Sequence, residues 1–116
     1  MKLTEPNIKI KVNESNLKSL TSYLYEIILN SDKYLSAWQV DKMLKKIVLH
    51  NVKEIYQKAC KIQFKNFALE IYGNKYKGVL NITDAERHSL IVISSLYPLP
   101  LDINFIEYEL KNQLLK

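Results

Sequence analysis

The sequence predicts an α+β fold that is mostly α-helical, with four helices and a minor two-stranded β ribbon. Glycine occurs twice and proline three times in 116 residues, so irregular structure is expected to be scarce. Apolar residues follow helical spacing along most of the chain. An apolar period of two at about residues 8–12 and a short apolar segment at about residues 78–82 predict the two strands. The length is that of one domain, which we expect to span residues 1–116.

Both predicted strands lead directly into a helix. Asn13 is placed to cap the first helix, and Thr83 with Glu86 forms a capping box for the third. The two strand–helix segments resemble each other, and a ribbon made from the two strands would place both helix starts side by side. The fourth helix follows two prolines and is expected to be capped by Asp102.

The second helix is the longest predicted element, at about residues 37–72. Ser36 and Gln39 form a capping box at its start, no glycine or proline interrupts it, and Gly73 supplies its C-cap. A helix of this length would be roughly 54 Å long, whereas a domain of this size has a diameter of roughly 35 Å. Its far end is therefore expected to extend beyond the rest of the domain.

The apolar positions of this helix change sides along its length, which leaves two alternatives open. The helix could break near residues 57–63, because later apolar side chains fall on the side from which lysines project earlier. Alternatively, Phe67, Leu69 and Ile71 could form a strand that pairs with residues 79–82 through a hairpin. A continuous helix, bent along its length, is the favoured interpretation.

The charge balance is basic, but its makeup gives only weak support for nucleic-acid binding. Lysine and arginine total 17 against 12 acidic residues, a net charge of +5, and Arg87 is the only arginine. Arginine supplies the planar fork that reads guanine edges and clamps phosphates, so base readout is expected to be limited. Lysine, asparagine, isoleucine and tyrosine all have A/T-rich codons, and a genome of low GC content explains the lysine excess.

The sequence contains no motif for catalysis, cofactor binding or metal binding. Gly73 and Gly78 stand alone and do not form a phosphate-binding loop, and no cysteine–histidine cluster indicates zinc. Asp84 and His88 are four residues apart, but they are interpreted as part of a capped, solvated helix start. The lone Arg87 is interpreted as an exposed solubility or ion-pair residue. We therefore expect a protein that is not an enzyme and uses no cofactor.

The far end of the long helix carries the candidate protein interface. If this end extends beyond the domain, its aromatic side chains are exposed, and exposed apolar patches mark protein contacts. Pairing of the patch with itself around a twofold axis predicts a homo-oligomer such as a dimer. The alternative is a fold that wraps back and covers these rings. The predicted interface residues are Tyr56, Phe64, Phe67, Ile71, Tyr72 and Tyr76.

A lysine-rich face of the same helix is the second candidate surface. The simpler interpretation is a solvated face opposite the core, as any amphipathic helix has. The functional interpretation is a site for an acidic partner or a nucleic-acid backbone. Non-specific nucleic-acid binding is therefore the alternative function. The lysines are Lys42, Lys45, Lys46 and Lys53.

The layout of residues 60–97 resembles small uncharacterised proteins of AT-rich bacterial phages and mobile elements. The resemblance covers the end of the lysine-rich helix, the strand at 76–82, the Thr83–Glu86 capping box and an aliphatic helix. It implies an accessory or virion-associated protein that acts through contacts with other proteins. The single cysteine, Cys60, and the absence of a long apolar run predict a soluble protein of the bacterial cytoplasm with no membrane association.

Overall fold

A computed structural model of the chain describes residues 8–35 and 42–112. The predicted class, mostly α-helical with a two-stranded sheet, is confirmed. The described residues contain six α-helices, however, and not the four that were predicted. The capping box at Ser36 and Gln39 lies outside the described residues. In chain order the elements are β1 (Ile8–Asn13), α1 (Glu14–Leu29), α2 (Ser31–Leu35), α3 (Lys42–Lys65), α4 (Phe67–Ile71), β2 (Lys77–Ile82), α5 (Asp84–Leu96), a 3₁₀ turn (Leu101–Ile103) and α6 (Phe105–Asn112).

The predicted ribbon is confirmed, and its strands are antiparallel. Ile8 lies opposite Ile82 and Asn13 lies opposite Lys77. The starts of α1 and α5 therefore lie at opposite ends of the ribbon, and the expectation that they lie side by side is wrong. Along β1, inward side chains are buried and the alternating ones are exposed, as expected of a sheet with one covered face.

The core lies between the inner face of the ribbon and helices α1, α3, α5 and α6. Leu24 of α1 and Ile55 of α3 are both fully buried, as is Leu80 of β2. Gly78 lies where β2 passes close to α3, and a Cβ at this position would lie 3.0 Å from Cγ2 of Ile62, a tighter contact than most side chains make. These buried residues come from segments far apart in sequence and belong to one cluster of side chains, so the described elements share one core.

Both predicted strand-to-helix caps are confirmed. The side-chain oxygen of Asn13 accepts from the backbone amides of Ser15 and Asn16, each at 3.0 Å. At α5, Thr83 Oγ1 accepts from the Glu86 amide at 3.1 Å, and Glu86 Oε1 accepts from the Thr83 amide at 2.8 Å. These bonds satisfy amides that have no partner within the helix.

The predicted helix over residues 37–72 is wrong because the chain breaks at Asn66. The Asn66 side-chain amide donates to the carbonyl of Ile62 at 2.9 Å, and its backbone leaves helical geometry at φ −106° and ψ 14°. Asn30 ends α1 in the same way, with its amide donating to the carbonyl of Glu26 at 3.2 Å. Asparagine side chains form local hydrogen bonds with the backbone that favour helix ends over helix interiors, and both of these helices end at an asparagine.

Of the two alternatives, a break in the helix is confirmed, although it lies at Asn66, three residues after the expected range 57–63. Phe67–Ile71 is a helix, so the alternative of a strand is wrong. At 1.5 Å per residue, the 24 described residues of α3 are about 36 Å long, against roughly 54 Å for the predicted helix. The helix is therefore shorter than predicted, but Phe64 in its last turn is still 84% exposed.

The last helix does not begin where it was predicted. Asp102 lies within the 3₁₀ turn, and α6 starts three residues later at Phe105. The carboxylate of Asp102 accepts a hydrogen bond from the hydroxyl of Ser19. Asp102 therefore connects this turn to α1 and does not cap α6.

Tyr23 joins α1 to the segment that follows α5. Its hydroxyl donates to the carbonyl of Tyr97 at 2.5 Å, and the two rings stack with their centroids 5.3 Å apart. Burial raises the pKa of Tyr23, and the neighbouring Tyr97 adds to this effect. Burial also raises the pKa of Tyr76.

These tyrosines predict that the fold weakens in alkaline solution. The folded chain holds the phenol protons more tightly than the unfolded chain, whose tyrosines titrate near pH 10. The stabilisation is therefore complete below about pH 10 and is lost as the pH rises through the higher folded pKa. Urea unfolding at a series of pH values should show this loss, and Tyr23→Phe should have a shallower alkaline slope. Parallel pH profiles for the two proteins would contradict the role of Tyr23.

Candidate protein interface

The end of α3, helix α4 and its C-cap expose a run of large apolar side chains, which we call the α4 patch. Its most exposed members are Phe64 and Tyr72, at 84% and 80%. Four of its members were predicted from the sequence, and Leu69 was not. Exposed apolar area of this kind is typical of a binding surface. The α4 patch consists of Phe64, Phe67, Leu69, Ile71 and Tyr72.

Three interactions hold the α4 patch in place. The hydrogen bond from Asn66 to Ile62 turns the chain out of α3. An ion pair between Lys18 and Glu70 fastens α4 to α1, and this contact raises the pKa of Lys18. The third interaction is the C-cap at Gly73. These interactions position the backbone of α4, and its apolar side chains remain exposed.

Gly73 closes α4 in the way that the sequence predicted. Its φ of 74° is in the left-handed region that glycine adopts without strain. The Gly73 amide donates to the carbonyl of Glu70 at 3.0 Å, and the Asn74 amide donates to that of Leu69 at 2.8 Å. This pair of bonds is a Schellman motif, which satisfies carbonyls at a helix end.

Two of the predicted interface residues lie elsewhere. Tyr76 is only 5% exposed, because it is in phase with the inward-facing Leu80 of β2, and its assignment to an exposed surface is wrong. Its amide donates to Glu14 Oε2 at 3.3 Å. Tyr56 is half-buried and packs against Tyr25, with ring centroids 6.0 Å apart. A hydrogen bond with Cys60 raises the pKa of Tyr56.

Lysines flank the α4 patch. Lys61 and Lys65 lie in the last turns of α3, and Lys75 follows the C-cap; all three are exposed. Lys61 precedes Phe64 by three residues, which places both on one side of the helix. The acid of the patch region, Glu70, is engaged by Lys18. The margin of the patch is therefore positively charged.

The predicted lysine face lies on the first half of α3. Lys42, Lys46 and Lys53 are exposed, whereas Lys45 is half-buried. Within the part of the chain that the structure describes, none of the four forms an ion pair. Their exposure fits both the solvated face and the binding face that the sequence left open.

Arg87 is the charged group whose burial differs most from the sequence prediction. It is 1% exposed, and its Nε and Nη2 lie 2.9 and 2.7 Å from Asp84 Oδ1. Its Nη2 also lies 3.1 Å from the Nε2 of His88. Nη1 is buried and has no hydrogen-bond partner among the described residues. The signal for this burial was its helical spacing with Leu90 and Ile91.

Over residues 8–35 and 42–112, no three His, Cys, Asp or Glu side chains lie close enough to hold a metal ion. In the same ranges, no helix has the length and apolar character to cross a membrane. The chain matches no protein-family model, no curated protein and no solved structure with which it was compared.

Proposed function

We propose that this chain is a non-enzymatic assembly module that binds protein through the α4 patch, and that the partner is a second copy of the chain. The observation that carries the proposal is a set of exposed apolar side chains on a helix whose backbone is held by contacts at both of its ends. Such preorganisation lowers the entropy lost on binding. The resemblance to proteins of phages and mobile elements supports an accessory or virion-associated role of this kind.

The size of the α4 patch supports self-association. A fully exposed aromatic side chain contributes about 150–250 Å² of surface, so the α4 patch offers on the order of 600 Å² of apolar surface. Two copies that meet around a twofold axis bury on the order of 1,200 Å², the lower end of a standard interface. The dimer is therefore expected to be weak. In this dimer the lysines that flank the two patches approach each other, so salt should strengthen dimerisation by screening their repulsion.

The proposal predicts a reversible dimer that Phe64→Asp disrupts. A charge in the centre of the contact must lose its hydration, so dimerisation should weaken by at least about 30-fold. Sedimentation equilibrium over a range of concentrations and salt would measure this. Leu101→Asp is the matched control, because Leu101 is 87% exposed but lies outside the patch, and it should leave the dimer intact.

Two results would contradict the proposal. A wild-type chain that stays monomeric at every concentration and salt excludes self-association. A dimer that survives Phe64→Asp but is lost in Leu101→Asp places the contact on another surface.

A further inference from the structure

The outward side of the β ribbon carries only basic, amide and aliphatic side chains. The register of β1 and β2 places Lys9 opposite Asn81, Lys11 opposite Val79, and Asn13 opposite Lys77. All six residues are exposed, and none of them is acidic. We call this the outer ribbon face; its members are Lys9, Lys11, Asn13, Lys77, Val79 and Asn81.

A groove of about 490 Å³ lies at one end of this face. Lys11 and Lys77 line it, one from each strand, together with Asn16 of α1. The side chain of Asn13 is occupied in capping α1, so the groups that remain available to a ligand are mostly cationic donors. Within the described residues, neither Lys11 nor Lys77 forms an ion pair. The face is therefore complementary to an anionic surface.

The composition of the outer ribbon face favours double-stranded DNA over other anionic macromolecules. Protein interfaces are enriched in aromatic residues and arginine and depleted in lysine, which is the opposite of this face. Single-stranded nucleic acid binds through aromatic stacking, and the face carries no aromatic ring. The deep, narrow major groove of double-stranded RNA excludes side chains. The major groove of B-form DNA, by contrast, admits a two-stranded ribbon.

We infer that the outer ribbon face binds double-stranded DNA, with Lys11 and Lys77 on phosphates and Val79 facing the groove. A six-residue strand spans about 20 Å, so the ribbon can follow the groove between the two backbones. Lysine contacts to phosphates carry little sequence information, and the binding is expected to be non-specific and strongly salt-dependent. The face is separate from the α4 patch, and the inference does not depend on the proposed dimer.

The test is fluorescence anisotropy with a labelled DNA duplex of about two helical turns in about 0.1 M salt. The double variant Lys11→Ala/Lys77→Ala loses two phosphate contacts, so binding should weaken on the order of 50-fold and the salt slope should fall by about two. The double variant Lys46→Ala/Lys53→Ala removes the same charge from α3 and is the matched control. It should bind almost as well as the wild type.

A second pair of variants tests the face without removing a lysine. Val79→Glu places a negative charge at the centre of the outer ribbon face, and Gln57→Glu adds the same charge to exposed surface on α3. Only Val79→Glu should abolish binding. Both positions are exposed, and circular dichroism would verify that both variants fold.

Three results would overturn the inference. Equal losses in the two lysine double variants would mean that diffuse charge, not the ribbon, attracts DNA. Single-stranded DNA or polyglutamate that binds as tightly as the duplex would mean that the face does not select a groove. If the duplex does not bind even at low salt, the face is not a DNA-binding surface, and its lysines instead prevent the ribbon edges from pairing with other strands.

Discussion

Asp84→Ala should destabilise the fold by about 3–5 kcal/mol, because it leaves the Arg87 guanidinium buried without its counter-charge. Asp84 is the only carboxylate among the described residues that lies within ion-pair distance of this guanidinium. Arg87 is only 1% exposed, and its Nη1 has no hydrogen-bond partner among the described residues. The cost is large against the typical domain stability of about 5–15 kcal/mol.

Urea unfolding followed by circular dichroism would measure this cost. Glu107→Ala is the control, because it removes an exposed ion pair on α6. In this pair Lys111 Nζ lies 2.9 Å from Glu107 Oε1, and the pair should contribute less than about 0.5 kcal/mol to stability. The double variant Asp84→Ala/Arg87→Met should recover part of the loss, since an apolar side chain needs no counter-charge. Equal effects of Asp84→Ala and Glu107→Ala would show that Arg87 is solvated in solution.

Those elements that depend on local patterns could be predicted from the sequence. The β ribbon follows from the period of two in β1, and the caps at Asn13 and Thr83 follow from side chains that bond to amides two or three residues away. Gly73 is similar, because its positive φ is a property of that residue and its neighbours. In each case the stabilising partner lies within the same few residues.

The helix break at Asn66 could not be predicted, because asparagine does not always break a helix. Asn51 lies inside α3, and its side-chain amide donates 2.9 Å across to Ser89 of α5. Asn30 and Asn66 instead donate back to carbonyls four residues earlier, and there the helices end. Asn51 differs because the neighbouring helix α5 offers its side chain a partner, and only the tertiary structure brings α5 close to it. The sequence therefore predicted one long helix where the chain forms α3 and α4.

The exposure of most residues in the candidate interface was predicted, whereas its role as an interface stays a prediction. Phe64 lies exposed in the last turn of α3, and Tyr72 lies exposed after the turn at Asn66. Tyr76 was misplaced because its strand parity with Leu80 and Ile82 was not used. The outer ribbon face was missed because its lysines come from two distant segments that only the strand register brings together.

Leu24→Ala is expected to destabilise the fold by about 3–4 kcal/mol, because its side chain is fully buried in the core and the vacated space cannot be refilled. Leu29 offers a matched control within the same helix, since it is 65% exposed and its change to alanine should cost less than about 0.5 kcal/mol. Both variants remove the same atoms from α1, so helix propensity contributes almost equally to each.

The difference between these two leucine variants measures the packing of α1 on the core. Urea unfolding should give a lower midpoint for Leu24→Ala with an unchanged dependence on denaturant, which shows that stability, and not the extent of unfolding, has changed. Equal midpoints for the two variants would contradict the packing of α1. Lys18 of α1 also forms an ion pair with Glu70 of α4, so a displaced α1 would remove this contact with the α4 patch. The packing of this helix is therefore linked, through that contact, to the surface through which we propose that the chain assembles.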